Sequence, residues 1–426
     1  MGSYIVKGGN RLTGEIPVSG SKNAALGIVA AAAVLDGPCI IENVPNIADV
    51  RILLELCQYI GATVEIDDEG RIHFDATTIN TSIVDNSDAS KIRASYYLFG
   101  VLLAKFGEVS SHLPGGCNLG TRPIDLHIKG FNAMGAEDKL EHGIISFKTE
   151  NGLEGANVFM DKVSVGATIN LMIGATKAKG RTIIENAARE PHVVDVANFL
   201  NTMGANIKGA GTDIIRIDGV EKLEANRTYS IIPDQIEAGT YMIAGAISRG
   251  DVTVKNLIPK HMEPLTAKMN EMNIRTDIKE DSIRVWVEED DVFEATSVRT
   301  MVYPGFPTDL QPQTVTLMTA LTGQSRMYED VWASRFQYIE DLRKMGADIR
   351  VEGNVAFING PNDLSGAQVE ARDLRAGAAM ILAGLVAEGE TEVCRTESLQ
   401  RGYENLVQKL QGIGADIEYV EGLEDQ

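Results

Sequence analysis

Tyr59-Ile60-Gly61-Ala62-Thr63-Val64-Glu65-Ile66 is the phrase on which the fold turns, because the chain repeats it. Variants stand at Ala133–Leu140 (AMGAEDKL), Thr202–Gly209 (TMGANIKG), Lys344–Val351 (KMGADIRV) and Gly412–Tyr419 (GIGADIEY). The gap between Gly204 and Gly346 is doubled, and its middle holds Glu271–Ile278 (EMNIRTDI), with Asn273-Ile274 in place of Gly-Ala. Six units result, at intervals of 74, 69, 69, 73 and 68 residues. A second glycine (Gly37, Gly107, Gly180, Gly250, Gly323, Gly389) precedes each phrase by 23 to 28 residues. Two landmarks that keep step over six periods mark a repeat architecture.

Each unit reads as an alanine-rich helix, a turn at the first glycine, and a short β-branched strand such as CIIENV or RTIIENA. A second helix follows, of which LLELCQYIG and DLRKMG show the spacing, closed by the glycine of Gly-Ala at its C′ position, and then another strand. The fold class is therefore α/β. At 426 residues the chain suits two domains of three units. A break is expected around Tyr229–Pro233, and a functional cleft between the halves is the default expectation.

Hydrophobic content of 44% and charged content of 23% are those of a soluble globular protein. The N-terminal MGSYIVKGGNRL has no apolar core of a signal peptide. The longest apolar run, Ala24–Leu35, is too short to span a bilayer. Cys39, Cys57, Cys117 and Cys394 are far apart, without metal-ligand spacing, so reduced thiols, a cytoplasmic location and no bound metal are expected. The net charge of −21 argues against nucleic acid or an anionic membrane surface as partner. Anionic substrates would require the few cations to be concentrated in one place.

Three stretches and a set of isolated arginines could carry such chemistry. Gly20-Ser21-Lys22-Asn23-Ala24-Ala25 opens the first helix with a cap, a lysine and free backbone N–H groups, a ready anion site. Taken alone, it reads equally as an N-cap beside a solvated lysine. Leu113–His127 (LPGGCNLGTRPIDLH) places a thiol, a guanidinium and a carboxylate on a shaped loop. Cys117 there, near Arg122 and Lys22, could have a lowered pKa and act as acid or nucleophile. The other three cysteines read as structural. Val302–Gln311 (VYPGFPTDLQ) presents Asp309 before a helix, either as an N-cap or as a general base. Finally, Arg93, Arg335, Arg375 and Arg401 recur in apolar or turn settings. Each alone reads as a surface or salt-bridge residue; together they would suit phosphate and carboxylate. No P-loop, GxGxxG or zinc motif points to a cofactor.

The series SKNAA, RAS at Arg93, PGGCNLGTRPIDLH, DKVSVGAT, REP at Arg189, PDQIEAGT, YPGFPTDLQ, ASRF, DLRAGAA and RGYE, in that order, resembles the UDP-N-acetylglucosamine enolpyruvyl transferases over essentially the whole chain. KIRASYYLFG and VWASRF look closer to the second paralog of some Gram-positive bacteria. The resemblance implies a two-domain inverted α/β barrel of six βαβαββ units, with residues 22–231 as one domain, residues 1–21 and 232–426 as the other, and the active site in the cleft between them. It implies transfer of the enolpyruvyl group of phosphoenolpyruvate to the sugar 3′-hydroxyl, a step of peptidoglycan synthesis, without cofactor. Cys117 would donate the proton and form an adduct, and Asp309 would be the base. Lys22, Asn23, Arg122, Arg335 and Arg401 would hold phosphoenolpyruvate. Arg93, Arg122, Pro123, Ile124, Asp125, Leu126, Lys162, Val163, Ser164, Val165, Asp309 and Val331 would contact the nucleotide sugar, with Asp373 and Arg375 also at the cleft. Inhibition by the epoxide fosfomycin follows from the thiol. A monomer or weak homo-oligomer is expected.

Gln235, where arginine is common, and Ser398-Leu399-Gln400, where His-Ile-Asp usually stands, depart from the pattern, as does Ala48, where a cation can appear. The change beside Arg401 bears most on a role. The alternatives are the shikimate-phosphate enolpyruvyl transferase and, from another class, a non-catalytic UDP-sugar-binding paralog.

Overall fold

The computed structural model describes residues 2–84, 91–113, 124–224 and 226–421. The six phrases are six helix ends. Gly61, Gly135, Gly204, Gly346 and Gly414 all take positive φ, between +89° and +106°, and Asn273 takes +59° in the same place. Asparagine is the residue that best tolerates the left-handed region after glycine, so the fourth unit keeps the C′ turn although it loses the glycine. The earlier glycine landmark is less uniform. Gly107, Gly180, Gly323 and Gly389 are left-handed, but Gly37 and Gly250 are not. At Gly250 the requirement is space: a Cβ there would lie 2.2 Å from Leu12 O.

That close approach marks an exchange of strands. The second unit runs strand Ile83–Val84, helix Tyr97–Phe106, strand Glu108–His112, helix Asp125–Ala133, and the hairpin Ala136–Glu141 with Ile144–Thr149. Its four strands form one sheet, with the short first strand parallel to the second and the rest antiparallel. The third and fifth units do the same within themselves. In the first and fourth units the short strands change places. Thr13–Pro17, which precedes the first helix, pairs in parallel with Asp251–Lys255 of the fourth unit. Thr228–Ser230, which precedes the fourth, pairs in parallel with Pro38–Glu42 of the first. The sixth sheet is completed by the N-terminal strand Ser3–Lys7, which lies between Glu390–Cys394 and Asp416–Val420. The sequence thus closes on itself as six βαβαββ units, one of them circularly permuted.

Among the described residues, those from Gly20 to Ile232 form one compact unit, and those up to Ser19 and from Pro233 form the other. Each has its own apolar core. In the first, helices Lys22–Ala32, Tyr97–Phe106 and Val165–Ala175 pack on one another. In the second, Gln235–Ile247, Gln311–Met318 and Leu374–Val386 do so. These helices are buried nearly all round: every residue from Ala167 to Ala175 is buried. The strands alternate instead, as in Arg181–Glu185, which faces the core with Thr182 and Ile184 only. Helices inside and sheets outside are the arrangement of an inverted α/β barrel. Alanine and glycine dominate the helices because three of them must pass close together; a Cβ at Gly100 would lie 2.3 Å from Asn170 O. No described helix is long and apolar enough to cross a membrane.

Candidate active site

The candidate residues occupy equivalent places in successive units, the N-terminal ends of helices. Lys22 and Asn23 open the first core helix, Arg93 lies in the 3-10 turn Arg93–Tyr96 before the second, and Lys162–Val165 lead into the third. In the other unit, Asp309 lies in the turn Thr308–Leu310 before helix Gln311–Met318, and Asp373 and Arg375 open helix Leu374–Val386. The second helices repeat the pattern with Asp49, Asp125 and Arg335, whereas Arg401 closes the 3-10 turn Thr396–Arg401. The positive end of a helix dipole favours anions at its N-terminus, against the net charge of the chain.

In the unit spanning Gly20 to Ile232, Ser21 caps the first helix by accepting from Ala24 N. Lys22, a cation at the unfavourable end of its own helix dipole, is matched by Asp49, whose Oδ2 lies 2.8 Å from its Nζ. Asp49 is a partner that sequence reasoning missed, because an acid in the first turn of a helix reads as an ordinary dipole contact. Ser164 caps the third helix through Ala167 N. A second missed residue, Asn170, draws three candidate segments together. Its Nδ2 donates to Tyr96 O (2.7 Å) in the Arg93 turn and to His127 Nδ1 (2.9 Å) in helix Asp125–Ala133, while its Oδ1 accepts from Gly100 N. Because Asn170 donates, His127 Nδ1 must accept, which places the ring proton on Nε2. Burial first, and Arg93 second, push the His127 pKa down to about 3, so it is neutral. Arg93 also lies over the Tyr96 ring, 5.4 Å from its centroid. Ile124 and Leu126 turn their side chains into the core, while Asp125 and Lys162 are exposed and Val163 and Val165 are half-buried.

In the unit that includes Pro233 onward, Asp309 is the meeting point. Arg335 Nη2 lies 3.3 Å from its Oδ1, and Arg375 Nη2 lies 3.2 Å from its Oδ2. Of the surface and salt-bridge readings that the sequence leaves open for these arginines, the salt bridge holds for both: their side chains are 1% and 4% exposed, beneath a carboxylate that is 33% exposed. Asp309 is not a helix cap, since no side chain caps helix Gln311–Met318. Burial works against the Arg375 charge, but Tyr403 and Asp309 outweigh it and hold the guanidinium above its ordinary range. Arg335 Nε and Arg375 Nη1 are buried with no hydrogen-bond partner among the described residues. Asp373 caps its helix by accepting from Arg375 N and Ala376 N. Val331 is half-buried.

The departures around Arg401 are absorbed locally. Leu399 is fully buried against Gly377 of the helix that carries Arg375, and Ser398 Oγ donates to Ala371 O. Tyr403, two residues on, packs under Arg375 and meets Thr240 Oγ1 at 3.0 Å. Arg401 is half-buried at the end of its turn. Of the remaining candidates, Cys117, Arg122 and Pro123 lie outside the described residues. Cys39 and Cys57 are buried, with thiols pushed up to about 12 by burial, which removes them as nucleophiles.

The EPSP synthase (3-phosphoshikimate 1-carboxyvinyltransferase) family matches residues 6–410 of this chain. The chain belongs to the enolpyruvyl transferase family. Within that family it is 52% identical, over 99% of its length and all of the relative's, to the UDP-N-acetylglucosamine 1-carboxyvinyltransferase of Halothermothrix orenii. It is also 52% identical, over 98% of its length and 96% of the relative's, to the UDP-N-acetylglucosamine 1-carboxyvinyltransferase 2 of Geobacillus kaustophilus. The crystal structure of the enolpyruvyl transferase NikO from Streptomyces tendae superposes with a TM-score of 0.90 at 25% identity, covering 99% of both chains. The family fold is the two-domain inverted α/β barrel, in agreement with the six units counted in the sequence.

Proposed function

We propose that this enolpyruvyl transferase moves the enolpyruvyl group of phosphoenolpyruvate to the 3′-hydroxyl of UDP-N-acetylglucosamine and releases phosphate. The observation that carries the reading is Asp309 on its two buried guanidiniums, in a chain half identical to relatives of that name over their whole length. In the first step the sugar oxygen bonds to the central carbon of phosphoenolpyruvate, the hydroxyl proton passes to Asp309, and the methylene carbon gains a proton from Cys117. In the second, the methyl carbon so formed returns a proton to the Cys117 thiolate while the bond from the central carbon to the phosphate oxygen breaks, so phosphate leaves and the enol ether remains. Charge develops toward a cation in both steps, so the surrounding groups must hold phosphate and carboxylate firmly without quenching the reaction.

Lys22, Asn23, Arg122, Arg335 and Arg401 serve as the phosphoenolpyruvate clamp in this reading. Arg93, Arg122 to Leu126, Lys162 to Val165, Asp309 and Val331 serve the nucleotide sugar, with Ile124 and Leu126 offering backbone rather than side chain. In this reading the domains 22–231 and 1–21 with 232–426 each supply part of these two sets. The product is a peptidoglycan precursor, which ties the enzyme to cell-wall growth and division in the cytoplasm, and its thiol is the target of fosfomycin. Incubation with both substrates, followed by mass spectrometry of the nucleotide sugar, tests the reaction. An enolpyruvyl adduct of the sugar is expected, and unchanged sugar beside an active shikimate-phosphate reaction would contradict it.

A further inference from the structure

Glu329 follows strand Gly323–Tyr328 and is 3% exposed, yet no element of secondary structure claims its carboxylate. Oε1 accepts from the backbone N–H groups of Val331 and Trp332, each at 2.9 Å, and Oε2 accepts from Thr308 Oγ1 at 3.0 Å. Its own backbone is fixed as well, with its N–H donating to Asn354 O. One buried side chain therefore joins two stretches far apart in sequence. Thr308 begins the turn that presents Asp309, and Val331 begins the segment that ends at Arg335, the guanidinium under Asp309.

We infer that Glu329 is a positioning residue for the nucleotide sugar, holding Asp309 and the Val331 segment as one rigid piece. The inference rests on the proposed activity, in which both of those positions contact the sugar nucleotide. A carboxylate suits the task better than an apolar side chain of the same size. It satisfies two adjacent N–H groups that the loop leaves without helix or sheet partners, and it turns the remaining oxygen toward the Asp309 turn. Rate depends on the base lying within hydrogen-bond reach of the acceptor hydroxyl, so a small displacement of that turn is felt in catalysis.

Steady-state kinetics of Glu329→Ala, with each substrate varied in turn, tests this. Removing the acceptor of two loop N–H groups should lower kcat about tenfold and raise KM for UDP-N-acetylglucosamine about tenfold, with a smaller rise of about threefold in KM for phosphoenolpyruvate, because Arg335 ends the same segment. Glu329→Gln keeps an acceptor for the loop and a polar group toward Thr308, and should stay within about threefold of the parent. If Glu329→Ala does not fold, Thr308→Val decides. That variant spares the loop contacts, should keep the parent Tm, and should raise KM for the sugar nucleotide about threefold through the lost hydroxyl contact. Equal changes in both KM values, or an unchanged KM in a folded variant, overturn the inference. The parent is assayed first, because a parent without turnover defeats the proposed activity itself, whereas an active parent beside unaffected variants defeats only the role of Glu329.

Discussion

Lys22 Nζ and Asp49 Oδ2 lie 2.8 Å apart, with side chains 12% and 6% exposed, each at the start of a different helix of the same repeat. Two charges so far from water depend on each other. Asp49→Ala should cost about 3 kcal/mol of stability by removing the carboxylate 2.8 Å from the lysine. Adding Lys22→Met should recover part of that loss. Urea denaturation of the two single variants and the double variant measures the coupling; additive losses would show that the pair acts independently.

His127 gives stability a pH dependence. Its pKa is pushed down to about 3 in the folded chain, against about 6.5 when unfolded, so between those values the unfolded chain binds the extra proton. Its contribution is intact above about pH 6.5 and is lost progressively as pH falls toward 3, with about 2 kcal/mol gone by pH 5. Comparing urea midpoints at pH 7 and pH 5 should show that loss in the parent, and a smaller one in His127→Gln, whose side chain does not titrate.

The helix-end reading of the repeat has its own check. Gly204→Ala forces φ of +100° on a residue with a Cβ and has no close neighbour to blame, so it should cost about 1–2 kcal/mol. Asn273→Gly, at φ +59°, should leave thermal stability unchanged or raise it slightly. Loss of stability in Asn273→Gly would mean that the asparagine side chain, whose Nδ2 donates to Val292 O, matters more than its backbone.

Thiol chemistry separates the four cysteines. Cys39 and Cys57 are buried with pKa values near 12, and burial, the largest cause, also raises that of Cys394. Brief alkylation at neutral pH, read by peptide mass spectrometry, should label Cys117 first, and fosfomycin should protect it. Labelling spread evenly over Cys394 and Cys117 would argue against a specially activated thiol.

The period of the repeat was plainly legible, because each helix must end and a left-handed residue is the usual means of ending it. The same logic held one signal that went unread. Asn43, Asn186 and Asn256 each follow the central strand of their unit in the left-handed region, in the phrases ENV, ENA and KNL. Other features could not be read locally. The exchange of Thr13–Pro17 and Thr228–Ser230 between units depends on pairing across more than 180 residues, and nothing in either strand names its partner. Burial of Arg335 and Arg375 was hidden for a related reason: a guanidinium belongs at the surface unless a carboxylate pairs with it, and Asp309 is 26 and 66 residues away. Asn170 looked like an ordinary polar residue because it works through backbone groups of a distant segment, and Glu329 because its link to the Asp309 turn is a contact with the Thr308 hydroxyl, 21 residues away.

Phosphate release tests the central claim most directly, with the parent compared with Asp309→Ala and Cys117→Ser. The account predicts release only when phosphoenolpyruvate and UDP-N-acetylglucosamine are both present, none with shikimate 3-phosphate, and rates at least about 100-fold lower in Asp309→Ala, as befits loss of a general base. Cys117→Ser should release little phosphate and resist fosfomycin. A parent that binds the sugar nucleotide and releases no phosphate, or an Asp309→Ala variant at the parent's rate, would contradict it.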